Sequence, residues 1–208
     1  VLVSLDRDRA EAWLDLAGEP LYRRRGDRRV SRTSLRETTA AAVALAVGVR
    51  EADLILDPFC GSGTLLEEAA GIAVNRCAGA HRSFALDASP VWNAGRMREA
   101  QRTTCPDDRR EPPRLVGTDV DAHALDAARH DLALAGFGEV AEFVQADARS
   151  VDVGTWLRAV PARHPVLLSN PPYGRRADAV GGTPDETLTA MLGHVGQVAR
   201  GGPAWRIG

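Results

Sequence analysis

Short apolar runs alternate with stretches of helical periodicity from residue 52 onward, and this alternation restricts the fold more than any other feature of the sequence. The apolar runs predict strands, and the stretches between them predict helices. Because strands joined by helices form right-handed crossovers, we expect an α/β fold with a mostly parallel, doubly wound sheet. The predicted strands are residues 52–57, 114–119, 140–147, 165–170 and 204–207, and the predicted helices are residues 64–74, 122–136, 153–160 and 185–199.

The residues ahead of this alternation predict a short N-terminal β-hairpin and one further helix. Residues 1–5 and 12–16 have strand character and are joined by a polar turn. Ser34 and Glu37 have capping-box spacing in front of a run of good helix formers, and Gly48 follows that run. We therefore expect a helix that begins near Ser34 and ends before Gly48.

Two domains are expected from this organisation. Residues 1–30 would contain the hairpin and a basic linker, and residues 31–208 would form the α/β domain. Residues 75–113 form an insertion that is too long for an ordinary connection, so it is either functional or a small subdomain.

Composition excludes several classes of protein. No apolar run approaches the roughly 20 residues that a membrane helix needs, and no signal-peptide pattern is present, so we expect a soluble, cytoplasmic protein. The three cysteines, Cys60, Cys77 and Cys105, have no CxxC spacing and predict neither a disulfide framework nor a zinc site. Cys77 and His81 have no partners at ligand spacing, and His123 and His130 lie on a polar helix where solvent exposure is favoured over metal binding, so no metal site is expected.

Charge is spread unevenly although the formal net charge is only −2. Residues 21–36, which we call the arginine-rich segment, contain seven arginines against the single acid Asp27. Such a charge density is typical of surfaces that bind phosphate backbones, so the segment is a candidate RNA surface. The alternative is a solvated loop, because the chain contains no lysine and uses arginine for all its basic side chains apart from histidine.

A glycine turn follows the first strand of the α/β pattern, in the sequence "LDPFCGSGT". Ligands of doubly wound sheets bind beyond the carboxyl ends of the strands. Gly61 and Gly63 remove side chains from a tight turn that leads into a helix N-terminus. Asp57 precedes this turn, and a carboxylate there repels a pyrophosphate but suits an ammonium group. The pattern therefore favours S-adenosylmethionine, which has an amino-acid tail and no phosphate, over NAD or ATP.

Acidic residues also follow the next two strands. Asp119, which we favour over Asp121, is placed to accept hydrogen bonds from a ribose diol. Asp147 could accept a hydrogen bond from an adenine amino group, with Ala146 and Ala148 leaving room for the ring. The alternative for each of these acids is a helix N-cap after a strand.

The fourth strand ends in "SNPPYG". Proline fixes its own backbone and forces the preceding residue into extended geometry, so Asn170-Pro171-Pro172 is a stiff segment with carbonyls in set directions. The Asn170 side-chain oxygen and the Pro171 carbonyl could accept the two hydrogens of an exocyclic amine, while Tyr173 stacks on its ring. The alternative is a rigid turn after a strand.

With these motifs in order, the chain resembles the class I S-adenosylmethionine-dependent methyltransferases, which have a Rossmann-like fold. It is most similar to the methyltransferase domain of bacterial large-subunit rRNA guanine-N2 methyltransferases and of related tRNA enzymes. Three further stretches carry this resemblance: "LDLAGEPLYRRRGDR", "SLRETTAAAV" and "AGAHRSFALDASPVW". The resemblance implies methylation of a guanine N2 amine in RNA, with rRNA favoured over tRNA.

The resemblance also implies a role for each matching residue. Asp57, Gly61 and Gly63 would hold the methionine part of the cofactor, Asp119 the ribose and Asp147 the adenine. Glu37 and Thr38 would border the cofactor pocket. Asn170, Pro171 and Tyr173 would bind the target base.

The chain departs from the family pattern at both ends. Family members carry an RNA-binding THUMP domain ahead of the hairpin, and the last two strands of a seven-stranded sheet are missing, so we expect a C-terminally incomplete fragment. Three alternative functions remain: adenine-N6 methylation of RNA or DNA, glutamine-N5 methylation of a protein, and an inactive scaffold that binds cofactor or RNA.

Overall fold

The computed structural model describes most of the chain and leaves the predicted helix at 153–160 outside the described residues, together with most of the one at 185–199. The described residues are 1–24, 27–29, 34–79, 82–90, 92–104, 110–150, 162–171, 185–186, 189–190, 192–193, 196 and 204–208. Within these ranges, no helix has the length and apolar character to cross a membrane.

Among the described residues, the predicted strands follow one another in the expected order, and the insertion contains one helix that the sequence pattern did not predict. The strands are β1 (Leu2–Asp6), β2 (Arg9–Trp13), β3 (Leu54–Asp57), β4 (Arg114–Asp119), β5 (Ala141–Gln145), β6 (Pro165–Leu167) and β7 (Arg206–Ile207). The helices are α1 (Glu37–Val47), α2 (Thr64–Ala73), α3 (Ala94–Thr104) and α4 (Ala122–Leu134).

The chain divides into two compact units. The first contains Val1–Asp27 and Cys77–Asp108, and the second contains Arg28–Arg76 and Arg109–Gly208. The insertion therefore belongs to the same unit as the N-terminal hairpin, although the 49 residues Arg28–Arg76 of the second unit separate them in sequence. The sequence pattern placed the boundary at residues 30 and 31 and did not predict this association.

The hairpin of the first unit pairs β1 with β2 in antiparallel register, from Leu2 opposite Trp13 to Asp6 opposite Arg9. Its second strand begins at Arg9, whereas the sequence pattern predicted Ala12. The difference arises at the turn, where Arg7 adopts a left-handed φ of 51° and reverses the chain within two residues.

Arg82 connects the insertion to the residues that follow the hairpin. Its guanidinium donates hydrogen bonds over 2.6–3.4 Å to four backbone carbonyls and lies 4.8 Å from the ring centroid of Phe84. The acceptors are the carbonyl oxygens of Ala17, Glu19, Pro20 and Arg23. This one side chain thus satisfies several backbone acceptors of an irregular segment.

The cysteines differ from the sequence-based expectation in one respect. Cys77, in the first unit, is disulfide-bonded, so the prediction that the cysteines form no disulfide is wrong for this residue. Cys60, in the second unit, is free and buried.

The second unit is built on a five-stranded sheet with the strand order β5-β4-β3-β6-β7, in which all neighbouring strands are parallel. This arrangement confirms the predicted α/β class and the parallel sheet. From β3 the chain adds β4 and β5 on one side and then crosses over to add β6 and β7 on the other. The reversal places a topological switch point between β3 and β6, where doubly wound sheets bind ligands.

Apolar residues cover both faces of this sheet. One buried cluster contains Ile55, Leu115 and Val166 with side chains of α1, α2 and α4, and the other contains Leu54, Leu56, Val116 and Leu167. Adjacent residues of β3 therefore pack on opposite faces, as expected for a strand with a side-chain period of two. All four residues of β3 are buried.

The start of α1 differs from the prediction. The helix begins at Glu37, and its N-cap Arg36 makes no side-chain capping hydrogen bond, so the predicted capping box does not form. The Ser34 hydroxyl instead lies 2.9 Å from the Ser62 hydroxyl, and Glu37 pairs with Arg28. The predicted end of the helix is confirmed, since Gly48 has a left-handed φ of 78°.

Gly63 fixes the distance between α2 and α4. It is the N-cap of α2 with a φ of 78°, and a Cβ at this position would lie 2.8 Å from Leu132 Cδ1 and 3.2 Å from Ala128 Cβ. Both of those residues belong to α4. A side chain at residue 63 would therefore strain the backbone and also force the two helices apart.

We predict that Gly63→Ala destabilises the protein by about 2–5 kcal/mol, the sum of overpacking and a left-handed alanine. Gly136→Ala is the matched control, because Gly136 has a similar φ of 83° but no atom within 4 Å of the added Cβ. Urea unfolding of both variants measures the difference. Equal losses of unfolding free energy in the two variants would mean that the contact between residue 63 and α4 does not contribute to the destabilisation.

Candidate active site

The candidate site lies in the second unit, at the carboxyl ends of β3, β4 and β6. β3 ends at Asp57, β4 ends at Asp119, and Ser169 follows β6 by two residues. Parallel pairing brings these ends to the same edge of the sheet at the switch point. The structure therefore brings together the acids and the glycine turn that the sequence pattern had selected.

Asp57 is a buried carboxyl, with 1% of its surface exposed. Its Oδ1 accepts hydrogen bonds from the Phe59 N–H and the Ser169 hydroxyl, both at 3.1 Å. The pKa of Asp57 is raised to about 7: burial is the largest cause and the charge of Asp119 adds to it, while the two hydrogen bonds act in the opposite direction. The site thus contains a carboxyl that titrates near neutral pH.

The turn after β3, residues 58–63, is held against β4 by hydrogen bonds. The Cys60 N–H donates to the Thr118 carbonyl at 2.9 Å, and the Thr118 hydroxyl donates to the Pro58 carbonyl at 3.1 Å. The Gly61 N–H donates to Asp119 Oδ2 at 2.9 Å. These bonds fix the backbone of the turn relative to both strands.

The two glycines of this turn have different surroundings. A Cβ on Gly63 would collide with α4, whereas a Cβ on Gly61 would meet no atom within 4 Å. Gly61 therefore faces open space, with a left-handed φ of 51°. Of the two predicted cofactor residues, Gly61 has the geometry that admits a ligand close to the backbone, and Gly63 has a packing role.

The structure distinguishes Asp119 from Asp121, one of which the sequence predicted to act as a helix N-cap or to bind a ligand. Asp121 is the N-cap of α4 and accepts a hydrogen bond from the His123 N–H at 2.9 Å. Asp119 is half-buried at the end of β4, where Oδ1 accepts from the Asp121 N–H at 3.0 Å and Oδ2 from Gly61. Asp119 is thus the acid that lies beside the glycine turn.

Asp147 has a local partner that the sequence pattern did not predict. Its carboxylate accepts hydrogen bonds from the backbone N–H and the guanidinium of Arg149, and this pairing lowers the pKa of Asp147. The Asp147 carbonyl also accepts from Ser150, within the short 3₁₀ turn Ala148–Ser150. An adenine amino group would have to share this carboxylate with Arg149.

Asn170 and Pro171 lie directly beyond β6 and are half-buried. The parallel hydrogen bonding of β6 continues past its last strand residue, because the Leu168 N–H donates to the Leu56 carbonyl at 2.9 Å and the Ser169 N–H donates to the Gly208 carbonyl at 3.1 Å. The segment that leads into Asn170 is therefore fixed on both sides. Pro172 and Tyr173 lie outside the described residues.

Glu37 and Thr38 do not have the surroundings expected of cofactor residues. The buried Glu37 carboxylate lies 3.0 Å from Arg28 Nη1, and Thr38 is exposed. The structure thus places Glu37 in a buried ion pair, and a border position of Glu37 and Thr38 at the cofactor pocket stays a prediction.

The arginine-rich segment contains arginines in contrasting environments. Arg23, in the first unit, is exposed and forms an ion pair with Glu19 at 3.0 Å. Arg28, in the second unit, has a side chain that is only 3% exposed. The prediction of an RNA surface is therefore excluded for Arg28 and stays a prediction for Arg23 and Arg24.

Several residues that support the site were not selected from the sequence. Ser169 bonds to Asp57, Thr118 holds the glycine turn, and Arg28 binds Thr64 at the start of α2. Gly117 leaves space in β4 for the Phe143 ring and the Cys60 sulfur, since a Cβ there would lie 2.8–2.9 Å from them. A glycine inside a strand signals such a close approach, so Gly117 was detectable in the sequence.

Acidic and histidine side chains do not form a metal site in the part of the chain that the structure describes, where no group of three or more potential ligands converges. The buried Cys60 thiol has its pKa raised by burial and by the nearby Asp57 and Asp119 carboxylates. Cys60 therefore packs beside the turn as a neutral side chain.

Solved structures with this fold are similar to nearly the whole chain. A possible methylase from Clostridium difficile 630 is 26% identical, with a TM-score of 0.68 over 92% of this chain and 47% of its own. SMU.472, provisionally described as a methyltransferase and crystallised with S-adenosylhomocysteine, is 26% identical, with a TM-score of 0.70 over 98% of this chain and 50% of its own.

A third similar structure is that of a predicted N6-adenine-specific DNA methylase from Listeria monocytogenes str. 4b F2365. It is 27% identical, with a TM-score of 0.69 over 93% of this chain and 48% of its own. The chain thus spans about half the length of these proteins. The family model described as "RMKL-like, methyltransferase domain" matches residues 25–205, and the chain therefore belongs to this methyltransferase family.

Proposed function

We propose that the protein transfers a methyl group from S-adenosylmethionine to the exocyclic N2 amine of a guanine in RNA, with rRNA favoured over tRNA. The observation that carries the proposal is the arrangement at the switch point, where Ser169 bonds to Asp57 and leads directly into Asn170. Membership of the methyltransferase family supports the reaction class. The complex of SMU.472 with S-adenosylhomocysteine supports the cofactor.

The residues of the site suit this cofactor. The open space at Gly61 lets a ligand approach the backbone of the turn, and a side chain at this position would fill that space. Asp57 and Asp119 lie at the strand ends without an arginine within ion-pair distance among the described residues, so they favour a ligand that brings positive charge. S-adenosylmethionine supplies an electrophilic methyl group on a cationic sulfonium.

Asp119 would bind the ribose diol, because its half-buried carboxylate lies beside the open side of the glycine turn. Asp57 would act on the amino-acid end from within the sheet. The adenine would lie toward Ala146, whose N–H donates to the Asp119 carbonyl at 3.1 Å. Asp147 contributes to adenine binding only if its carboxylate accepts an amine hydrogen in addition to those of Arg149.

Asn170 and Pro171 would bind the target amine. The Asn170 side-chain oxygen and the Pro171 carbonyl accept its two hydrogens and direct the nitrogen lone pair toward the methyl carbon. An aromatic amine is a weak nucleophile because its lone pair is delocalised into the ring. Two fixed acceptors favour the tetrahedral nitrogen and stabilise the positive charge that develops on it as the new bond forms.

The main alternative is methylation of adenine N6, and one observation favours it. The similar protein from Listeria monocytogenes is a predicted N6-adenine-specific DNA methylase. The acceptor pair at Asn170 and Pro171 would suit either exocyclic amine. Guanine in RNA remains our proposal because of the resemblance carried by the arginine-rich segment and the insertion.

Incubation of the intact protein with labelled S-adenosylmethionine and unmodified total RNA or DNA, followed by nucleoside analysis, tests the proposal. We expect label in N2-methylguanosine. We also expect that Asn170→Ala lowers the rate by about 100-fold or more while cofactor affinity is retained, since the lost group acts on the developing charge. Label in N6-methyladenine would instead support the alternative, and an unchanged rate for Asn170→Ala would remove this residue from the mechanism.

The assignment of Asp119 to the ribose predicts a loss of cofactor affinity in Asp119→Ala. Hydrogen bonds to a charged group contribute about 1.5–3 kcal/mol, so the dissociation constant for S-adenosylhomocysteine should rise at least about tenfold. Asp121→Ala is the control, because it removes a neighbouring carboxylate that only caps α4. Calorimetry of both variants should show a loss of affinity for Asp119→Ala alone, and equal losses would contradict the assignment.

The raised pKa of Asp57 predicts that cofactor affinity depends on pH. Below pH 7 the carboxyl is mostly protonated and neutral, and above pH 7 it is an anion that attracts the ammonium group. From pH 6 to 7.5, where an α-amino group stays mostly charged, the association constant should rise by about eightfold, in proportion to the ionised fraction. Asp57→Asn should abolish this slope. A slope that persists in the variant would show that another group titrates.

A further inference from the structure

Arg28 occupies a buried position among three carboxylates. Its Nη1 lies 3.0 Å from Glu37 Oε1, and its Nε lies 3.3 Å from Glu67 Oε2 and 3.6 Å from Asp131 Oδ2. The side chains of Arg28 and its three partners are at most 9% exposed. These acids belong to α1, α2 and α4, so one guanidinium joins three helices of the second unit.

The fourth partner of Arg28 connects this cluster to the glycine turn. Nη2 donates to the Thr64 hydroxyl at 2.9 Å, and Thr64 is the first residue of α2, directly after Gly63. A positive charge is unfavourable at a helix N-terminus, because the helix dipole is positive there. The three surrounding carboxylates offset this cost and hold the guanidinium in place.

A second contact holds the turn on the other side of Gly63. The Ser34 hydroxyl lies 2.9 Å from the hydroxyl of Ser62, which is itself buried. The backbone N–H of Arg29 donates to both oxygens of Asp131 at 3.1 Å and so anchors the chain next to Arg28. Ser62 and Thr64 are thus both bound by residues that precede α1.

We propose that Arg28 is a positioning residue for the glycine turn: through Thr64, and together with Ser34 acting on Ser62, it holds the turn in the conformation that receives the cofactor. Arg28 does not touch the cofactor in this proposal, since its guanidinium is buried and engaged. The inference rests on the proposed function, because it assigns the turn to S-adenosylmethionine. Its consequence is that cofactor affinity depends on a side chain outside the turn and the strand ends.

The test compares Arg28→Lys and Thr64→Val with Arg76→Lys in the intact protein. Thr64→Val removes the hydroxyl that Arg28 binds and leaves the four charged side chains unaltered. Arg76 is the matched control: it also contacts Glu67, at 3.6 Å, and it donates to the Ala135 carbonyl and lies over the Phe137 ring. All three variants alter the same buried region.

Two measurements separate positioning from general destabilisation. Without cofactor, amide hydrogen exchange at residues 61–63 should be faster by roughly tenfold in Arg28→Lys and Thr64→Val and unchanged in Arg76→Lys. The dissociation constant for S-adenosylhomocysteine should rise by roughly tenfold in the first two variants only, which is the effect of losing one charge-assisted hydrogen bond. The double variant should bind S-adenosylhomocysteine no more weakly than the single variant with the lower affinity, since both changes break the same contact.

The outcomes distinguish failure of the positioning role of Arg28 from failure of the proposed function. Unchanged exchange at residues 61–63 in Thr64→Val, or an equal change in Arg76→Lys, would overturn the positioning role even if Arg28→Lys is too unstable to measure. Failure of the unmodified protein to bind S-adenosylhomocysteine would overturn the proposed function and the cofactor part of the inference. The exchange measurement would still decide whether Arg28 holds the turn.

Discussion

The candidate site depends on the pairing of β3 with parallel strands on both sides. Leu56 lies opposite Val116 of β4 and Leu167 of β6, so the carboxyl ends of the three strands are aligned. Because β3 is buried along its whole length, its register is fixed by packing on both faces of the sheet. A shift of one residue would move Asp57 away from Ser169 and would move the glycine turn away from Asp119.

The buried cluster around Arg28 is a second constraint, and it connects the start of the second unit to the site. Removing one partner of a buried ion pair leaves an uncompensated charge, which costs about 3–5 kcal/mol, so the cluster tolerates little change. His130 lies at its edge, with Nδ1 3.0 Å from Asp131 Oδ1, and Arg76 reaches Glu67 from the other side. The cluster therefore specifies how α1, α2 and α4 pack beside the start of α2, which follows the glycine turn.

The sequence predicted those features that local physical rules determine. The bounds of β4 and the end of α1 before Gly48 were predicted to the residue, and α2 to within one residue, because periodicity and helix caps are encoded locally. The pairing of Ser169 with Asp57 was not predictable, since it joins residues far apart in sequence. The same reason explains Arg28: seven arginines in one segment look alike in the sequence, and only the positions of α1, α2 and α4 distinguish a buried arginine from a solvated one.

The electrostatics of the strand ends argue for the class of cofactor independently of any resemblance. Burial is the main reason that the pKa of Asp57 reaches about 7, and the charge of the neighbouring Asp119 makes a smaller contribution in the same direction. A ligand with phosphate groups would add negative charge to this region and increase the cost of ionising Asp57. A ligand with a positive charge relieves it, because it pairs with the ionised carboxylate and so lowers the pKa of Asp57. The site therefore selects a cationic nucleoside derivative over a dinucleotide, even though both have the ribose that Asp119 is placed to bind.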